Sequence, residues 1–190
     1  MCATIKSIDN QHFLHILQDP SEEKKAVGTA RILDLSLIGS KISVGERFDA
    51  RLFDVDNSYL VFPDRAAIPA ERLLETKPID NNSQFILLDG SWKKAYKLLM
   101  NNPFLQLLPK VAINVNKKSA YRIRKSPRED GLSTVEAGYY LLSQLENNSE
   151  KFSPLIKSFT AMIDYQIAKM PAGIYHKHYL AQKSLDQEKE

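Results

Sequence analysis

The short polar stretch Asp89-Gly-Ser-Trp92 contains the side chains best suited to chemistry in this chain. It follows the apolar run Phe85-Ile-Leu-Leu88, which predicts a buried strand, and it precedes a segment with helical spacing. Gly90 permits a tight turn or the close approach of a ligand because it has no Cβ. Asp89 or Ser91 could simply cap the helix, or Asp89 could act on a substrate. Trp92, the only tryptophan, could anchor the core or form a pocket wall.

A basic segment between Lys117 and Arg128 is the second candidate, because it contains six cations and no acid. Acids concentrate elsewhere, as in Ser21-Glu-Glu23 and the C-terminal residues 186–190, and the net charge of the whole chain is only +3. Such a local excess of positive charge favours a nucleic acid or phosphate partner, because each phosphate contact releases counterions. A solvated loop is the alternative interpretation.

Several common functional patterns are absent from the sequence. There is no phosphate-binding loop, no dinucleotide-binding fingerprint and no serine hydrolase elbow, and the spacing of His176 and His178 does not suit a metal. The single cysteine, Cys2, excludes an internal disulfide and favours a reducing compartment. No apolar run approaches the roughly 20 residues that cross a bilayer. We therefore expect a soluble, cytoplasmic protein that binds no metal and no membrane.

Alternating strands and helices are predicted to position these residues. The predicted strands are His12–Gln18, Tyr59–Phe62, Phe85–Leu88 and Val111–Val115. The predicted helices cover Thr29–Ile38, Trp92–Met100, a segment that begins at Ser133, and a final helix with an apolar face from Phe152 to Met170 and Pro154 in its first turn. Unbroken apolar runs are typical of strands that are buried on both faces. The pattern predicts an α/β fold, with a mostly parallel sheet and flanking helices.

Three loops lie beyond the carboxyl ends of the predicted strands, the third of them in the stretch that follows Val115. Ligands of parallel sheets bind beyond the carboxyl ends of the strands. The loops there are Phe62-Pro63, Asp89-Gly-Ser-Trp92 and Leu132-Ser-Thr134. Ser133-Thr-Val-Glu136 is also a capping-box sequence, so these residues could cap a helix, bind a ligand, or do both.

Residues 85–100 resemble the signature block of the DTW-domain family, in which an Asp-x-Thr/Ser-Trp motif precedes a basic helix. Other blocks of the family occur here in the same order: Leu17–Glu22, Tyr59–Pro63, Leu105–Pro109, Tyr121–Pro127 and Leu132–Ala137. Together the blocks extend over about Phe13 to Ala168. Many members have an N-terminal cysteine cluster that is expected to bind zinc. With Cys2 alone, we expect this chain to lack that cluster.

The resemblance implies a tRNA-uridine aminocarboxypropyltransferase, related to ribosomal-RNA aminocarboxypropyltransferases and to SPOUT-class methyltransferases. It implies a SPOUT-like fold, with a C-terminal trefoil knot left open, in one domain (residues 1–180) followed by a charged tail (181–190). The implied donor is S-adenosylmethionine, and the implied partner is tRNA. The protein could be a monomer or a homodimer. The alternatives are a SPOUT-type RNA methyltransferase and a non-catalytic RNA-binding protein.

The resemblance also gives roles to individual residues. Asp89 is the expected catalytic residue, either as a base for uridine N3–H or as a positioning group. The expected donor-binding residues are Phe62, Pro63, Leu88, Gly90, Ser91, Trp92, Leu132, Ser133 and Thr134. The backbone donors of the last two are expected to meet the carboxylate of the donor at a helix N-terminus. The expected RNA-binding residues are Lys93, Lys94, Tyr121, Arg122, Arg124, Lys125 and Arg128. Tyr121 could stack on a base or be buried.

Overall fold

The computed structural model describes residues 4–25, 28–76, 83–115 and 131–170. Its strands are β1 (Phe13–Gln18), β2 (Ser40–Val44), β3 (Ser58–Val61), β4 (Ile68–Pro69), β5 (Gln84–Asp89) and β6 (Lys110–Ala112). Its helices are α1 (Pro20–Glu23), α2 (Thr29–Ser36), α3 (Ala70–Thr76), α4 (Trp92–Asn101), α5 (Pro103–Leu107), α6 (Thr134–Leu145) and α7 (Ser149–Lys169). Two short 3₁₀ helices cover Ala50–Leu52 and Val55–Asn57.

The strands form one sheet in the order β2-β1-β5-β3-β6-β4, and all of its strand pairs are parallel. This confirms the predicted α/β class and the mostly parallel sheet. The two central strands β1 and β5 pair in a register that sets Gln18 opposite Asp89. Both residues therefore lie at the carboxyl edge of the sheet, where ligands of such folds bind.

Helices cover both faces of the sheet, as the apolar runs predict. On one face, buried residues of α2 and α6 share a core with Leu14, Ile16, Phe85 and Leu87, and α7 packs against α6 and α2. On the other face, residues of α4 and α5 pack against Leu17, Leu60 and Ile86. Side chains of a strand alternate between faces, so Asp89 at the end of β5 shares the α6 face with Leu87. The α6 side of this edge is therefore the place to look for partners of Asp89.

Three predicted elements differ from the structure by two residues or more. The helix predicted over Thr29–Ile38 ends at Ser36. The strand predicted over Val111–Val115 ends at Ala112. The final helix begins at Ser149, so Pro154 lies in its second turn and not in the first. The side chain of Asn148 explains this earlier start, because it accepts a hydrogen bond from the backbone N–H of Lys151 at 3.0 Å and caps the helix. Most of the predicted apolar face of α7 is buried, and the helix packs against α6 and α2.

Some predictions concern features that the structure does not decide. Residues 171–190 lie outside the described ranges, so the division into a 1–180 domain and a 181–190 tail stays a prediction. The SPOUT-like fold and the trefoil knot stay predictions as well. Within the part of the chain that the structure describes, no helix combines the length and the hydropathy needed to cross a membrane.

Candidate active site

A cavity of about 300 Å³ opens at the carboxyl edge of β3, β5 and β6, beside the start of α6. Its lining is mostly apolar and includes Val61, Leu87, Val111 and Ile113. The three loops that were predicted from the sequence meet at this cavity. Eight of the nine predicted donor-binding residues line it: Phe62, Pro63, Leu88, Gly90, Trp92, Leu132, Ser133 and Thr134.

Ser91 is the predicted donor-binding residue that does not line the cavity. It is exposed, and its hydroxyl oxygen accepts a hydrogen bond from the backbone N–H of Lys94 at 3.4 Å as the N-cap of α4. Of the two possible caps, the structure therefore selects Ser91 over Asp89. Gly90 is required by packing, since a Cβ at this position would lie 2.9 Å from the Cβ of Lys94.

Asp89 is buried beside the cavity, with 6% of its surface exposed. Its Oδ2 accepts a hydrogen bond from Gln18 Nε2 at 2.7 Å, and its Oδ1 accepts one from the hydroxyl of Thr134. The backbone N–H of Asp19 also donates to the carbonyl oxygen of Asp89, at 3.1 Å. Both carboxylate oxygens are thus held by neutral donors. No motif in the sequence marks Gln18, although its place at the end of an apolar strand matches that of Asp89.

The N-terminus of α6 is occupied by a second carboxylate. The capping box predicted at Ser133 is present: its backbone N–H and its hydroxyl donate to Glu136 Oε2 at 2.8 and 2.7 Å. Glu136 is buried, with 2% exposed. The Ser133 N–H that was expected to meet the carboxylate of the donor is therefore already bound. The carboxylates of Glu136 and Asp89 both lie at the N-terminus of α6. This helix end therefore favours a positive ligand group over another anion.

Phe62 and Trp92 form an aromatic wall on the β3 side of the cavity. Their ring centroids are 6.1 Å apart and the rings meet edge to face, at 74°. Trp92 is half-buried, at the first position of α4. Of the two roles considered for this tryptophan, its place in the lining supports the pocket wall. Flat apolar surfaces of this kind suit an aromatic ligand group such as a purine.

A family model for the DTW domain matches residues 1–167 of this chain. The chain belongs to the DTW-domain family. The motif of this DTW domain, Asp89-Gly-Ser-Trp92, thus provides one buried carboxylate, two cavity-lining residues and one helix cap.

The relatives of this DTW domain match most of this chain, but the match covers only part of each relative. The domain is 31% identical over 165 residues to tRNA-uridine aminocarboxypropyltransferase 2 of Drosophila melanogaster. The matched region covers 80% of this chain and 63% of the relative. The domain is 28% identical over 181 residues to the protein of the same name from Mus musculus, covering 90% and 60%. The chain thus spans less than two thirds of the length of these relatives. No solved structure matches it.

The predicted RNA-binding lysines of the DTW domain differ in their surroundings. Lys94 forms an ion pair with Glu22, with 2.7 Å between Nζ and Oε1, and this hydrogen bond raises the pKa of Lys94. Burial alone would raise the pKa of Glu22, but hydrogen bonds from Lys25 and Lys94 lower it. Lys93 is exposed at the start of α4, next to Trp92. Lys93 is therefore better placed than Lys94 to meet a polyanion.

The remaining predicted RNA-binding residues lie outside the described ranges: Tyr121, Arg122, Arg124, Lys125 and Arg128. Val115, which precedes this gap between the described ranges, and Leu132, which lies two positions after it, both line the cavity of the DTW domain. Across residues 4–25, 28–76, 83–115 and 131–170, no group of three or more His, Cys, Asp or Glu side chains could hold a metal ion.

Proposed function

We propose that this DTW domain transfers the 3-amino-3-carboxypropyl group of S-adenosylmethionine to N3 of a uridine in tRNA. The products are 3-(3-amino-3-carboxypropyl)uridine and methylthioadenosine. The observation that carries the proposal is the buried Asp89 carboxylate beside an apolar cavity with an aromatic wall, in a chain similar to tRNA-uridine aminocarboxypropyltransferases. The cytoplasmic location and the oligomeric state, monomer or homodimer, remain predictions.

The charges around the cavity fit the donor. S-adenosylmethionine combines an adenine ring with a sulfonium, an ammonium and a carboxylate, so that its net charge is positive. The apolar lining and the Phe62–Trp92 wall suit the adenine, and the carboxylates of Asp89 and Glu136 favour a cation. Holding a carboxylate against the sulfonium would stabilise the ground state, because that charge disappears in the transition state. We therefore assign the ammonium, not the sulfonium, to Asp89.

The reaction requires selection by geometry. Uridine N3 attacks the γ-carbon of the amino-acid arm, the bond from that carbon to sulfur breaks, and methylthioadenosine leaves as a neutral thioether. The N3 proton is released, so charge balances. Since the sulfonium activates three neighbouring carbons, the site must align one of them with N3 and turn the methyl group away. A contact between Asp89 and the ammonium fixes the arm that must react, which is catalysis by orientation.

Two features support RNA as the second substrate. Lys93 is exposed beside the cavity-lining Trp92, and in the sequence the basic segment lies between the cavity-lining residues Val115 and Leu132. A uridine must also leave its stack of neighbouring bases to reach a cavity of this kind, as enzymes that act on bases require. Phosphate contacts around the opening would hold the RNA while one base enters.

The test is to incubate the protein with S-adenosylmethionine and bulk tRNA, then analyse the sulfur products and the tRNA nucleosides by mass spectrometry. We expect methylthioadenosine and aminocarboxypropyluridine in equal amounts. S-adenosylhomocysteine with a methylated nucleoside would instead establish a methyltransferase. Salt-sensitive RNA binding with neither sulfur product would establish a non-catalytic binding protein.

The matched control for this test is Asp89→Asn, which removes the charge but retains the shape of the side chain. The oxygen of the introduced amide would still accept from Gln18, and the Thr134 hydroxyl, which donates to Asp89 in the wild type, would accept from the new amide N–H. We therefore expect a folded protein without transfer activity. Full activity in this variant would remove the Asp89 carboxylate from the mechanism.

A further inference from the structure

Gln18 holds the carboxylate of Asp89 from the neighbouring strand. The parallel register of β1 and β5 sets the two residues opposite each other, so their side chains extend from the same face of the sheet. Gln18 is buried, with 6% of its surface exposed, and its Nε2 donates to Asp89 Oδ2 at 2.7 Å. Neither Gln18 nor Asp89 is part of the cavity lining, and Thr134, which is part of it, donates to Asp89. We expect the Gln18 side chain to act on a ligand in the cavity through its hydrogen bond to Asp89.

Thr134 holds the other oxygen of the same carboxylate. Its hydroxyl, at the first position of α6, donates to Asp89 Oδ1. The two hydrogen bonds come from different elements, β1 and α6, and they bind different oxygens of a group on β5. A carboxylate that is held at both oxygens cannot rotate about its terminal bond without losing a charge-assisted hydrogen bond. Since a carboxylate has about four acceptor sites, two remain for a ligand.

We propose that Gln18 and Thr134 are positioning residues that fix the plane of the Asp89 carboxylate for group transfer. This inference rests on the proposed function, because it assigns the alignment of the donor's amino-acid arm to this group of three residues, the Asp89 cluster. When the plane is fixed, the remaining acceptor sites of Asp89 hold the ammonium in one orientation. That orientation presents the γ-carbon, and not the methyl carbon, to the incoming N3.

Loss of either donor therefore has a chemical signature that a structural role would not produce. A carboxylate that can rotate lets the arm adopt orientations in which the methyl carbon approaches N3. Attack there breaks the bond between the methyl carbon and sulfur, transfers the methyl group and leaves S-adenosylhomocysteine, again with release of the N3 proton. A variant that is merely less stable has fewer folded molecules, but each of them retains the wild-type kcat and product ratio.

The experiment compares Gln18→Met, Thr134→Val and Thr134→Ser. Methionine approximates the length of glutamine without its donor, valine removes the hydroxyl of threonine, and serine retains it. We expect kcat to fall about 100-fold in Gln18→Met and Thr134→Val, the size of effect that a misplaced reacting group causes. The Kd for S-adenosylmethionine should stay within about tenfold, and the fraction of S-adenosylhomocysteine should rise. Thr134→Ser should recover most of the rate lost in Thr134→Val.

Ser158→Ala is the matched control, because it also removes a buried hydroxyl hydrogen bond, from Ser158 to the carbonyl oxygen of Thr4 at 2.7 Å. Neither of these residues lines the cavity. We expect this variant to lower the thermal midpoint without changing kcat or the product ratio. If Gln18→Met does not fold, the Thr134 pair decides the question, since serine and valine differ there in the hydrogen-bond donor.

Two negative outcomes have different meanings. If the wild-type protein releases no methylthioadenosine, the proposed function is wrong, and the inference is wrong with it. If the wild-type protein is active and Gln18→Met and Thr134→Val retain its kcat and its product ratio, only the inference is overturned. An equal loss of rate in Thr134→Ser and Thr134→Val would also overturn it, because the hydroxyl would then not be the group that matters.

Discussion

Gly138 lets α6 approach the sheet closely enough for Thr134 to reach Asp89. A Cβ at this position would lie 2.7 Å from Leu33 Cδ2 and 2.9 Å from Leu33 Cδ1, and 3.4 Å from Leu14 Cδ2. Leu33 and Leu14 are both completely buried, so neither can turn towards solvent. Gly138→Ala must therefore move α6 away from α2 and β1, or force Leu33 into a strained rotamer.

The magnitude follows from two opposing effects. Alanine stabilises a helix interior by about 1 kcal/mol relative to glycine. Overpacking a well-packed core costs about 1–3 kcal/mol, and two contacts below 3.0 Å favour the upper part of that range. We expect a net loss of roughly 2 kcal/mol in the free energy of unfolding. Thr134 lies one helical turn before Gly138, so the displacement also reaches its hydrogen bond to Asp89.

Urea unfolding monitored by circular dichroism measures this loss, and Gly28→Ala is the control, since a Cβ there lies 3.8 Å from the Lys25 carbonyl oxygen. Leu33→Val removes one methylene and so makes space for the Cβ that Gly138→Ala adds. The double variant Gly138→Ala with Leu33→Val should therefore be clearly more stable than the sum of the single losses predicts. A Gly138→Ala protein as stable as wild type, or a double variant with purely additive losses, would refute the steric argument.

Three further predictions concern pH, capping and RNA. Burial lowers the pKa of His12 and of His15, so the unfolded chain binds more protons than the folded protein below about pH 6.5. The thermal midpoint should therefore decrease when the pH is lowered from 7 to 5. His15→Phe should reduce this dependence of the midpoint on pH, and a midpoint that is independent of pH in the wild type would contradict the prediction. Ser133→Ala should lower the free energy of unfolding by up to about 2 kcal/mol, because buried Glu136 loses its hydroxyl partner; a urea midpoint like that of wild type would count against this. Lys93→Ala should reduce the salt dependence of RNA binding by up to about 0.7 log unit, whereas Lys94→Ala should change it less because of Glu22; equal slopes for the two variants would argue against a distinct role for Lys93.

The sequence predicted the parts of this fold that depend on strongly apolar segments. Phe85–Leu88 is a short apolar run because β5 is covered by helices on both faces, and the rule for ligand sites in parallel sheets then located the three loops around the cavity. The edge strand β2 (Ser40–Val44) was not predicted, because edge strands need no such run and it alternates polar and apolar residues.

Contacts between distant parts of the chain do not follow from local sequence patterns. Gln18 and Asp89 are 71 positions apart, and their hydrogen bond depends on the register of β1 against β5, which no local pattern specifies. Lys94 and Glu22 are 72 positions apart, and their ion pair could not be read from either segment alone. Local patterns identified candidate residues, whereas the tertiary pairing of each one follows only from the structure, and the RNA-binding role of Lys94 stays a prediction.

The start of α6 shows how such pairing can reverse a general rule. A helix N-terminus normally favours anions, because its unpaired N–H groups and its dipole are positive. Here Glu136 accepts from the Ser133 N–H, and Asp89 accepts from the Thr134 hydroxyl, so protein carboxylates already occupy this position. A further carboxylate would meet like charges, whereas an ammonium would find acceptors. We therefore propose an orientation of the amino-acid arm of S-adenosylmethionine that is opposite to the one that the capping sequence alone predicts.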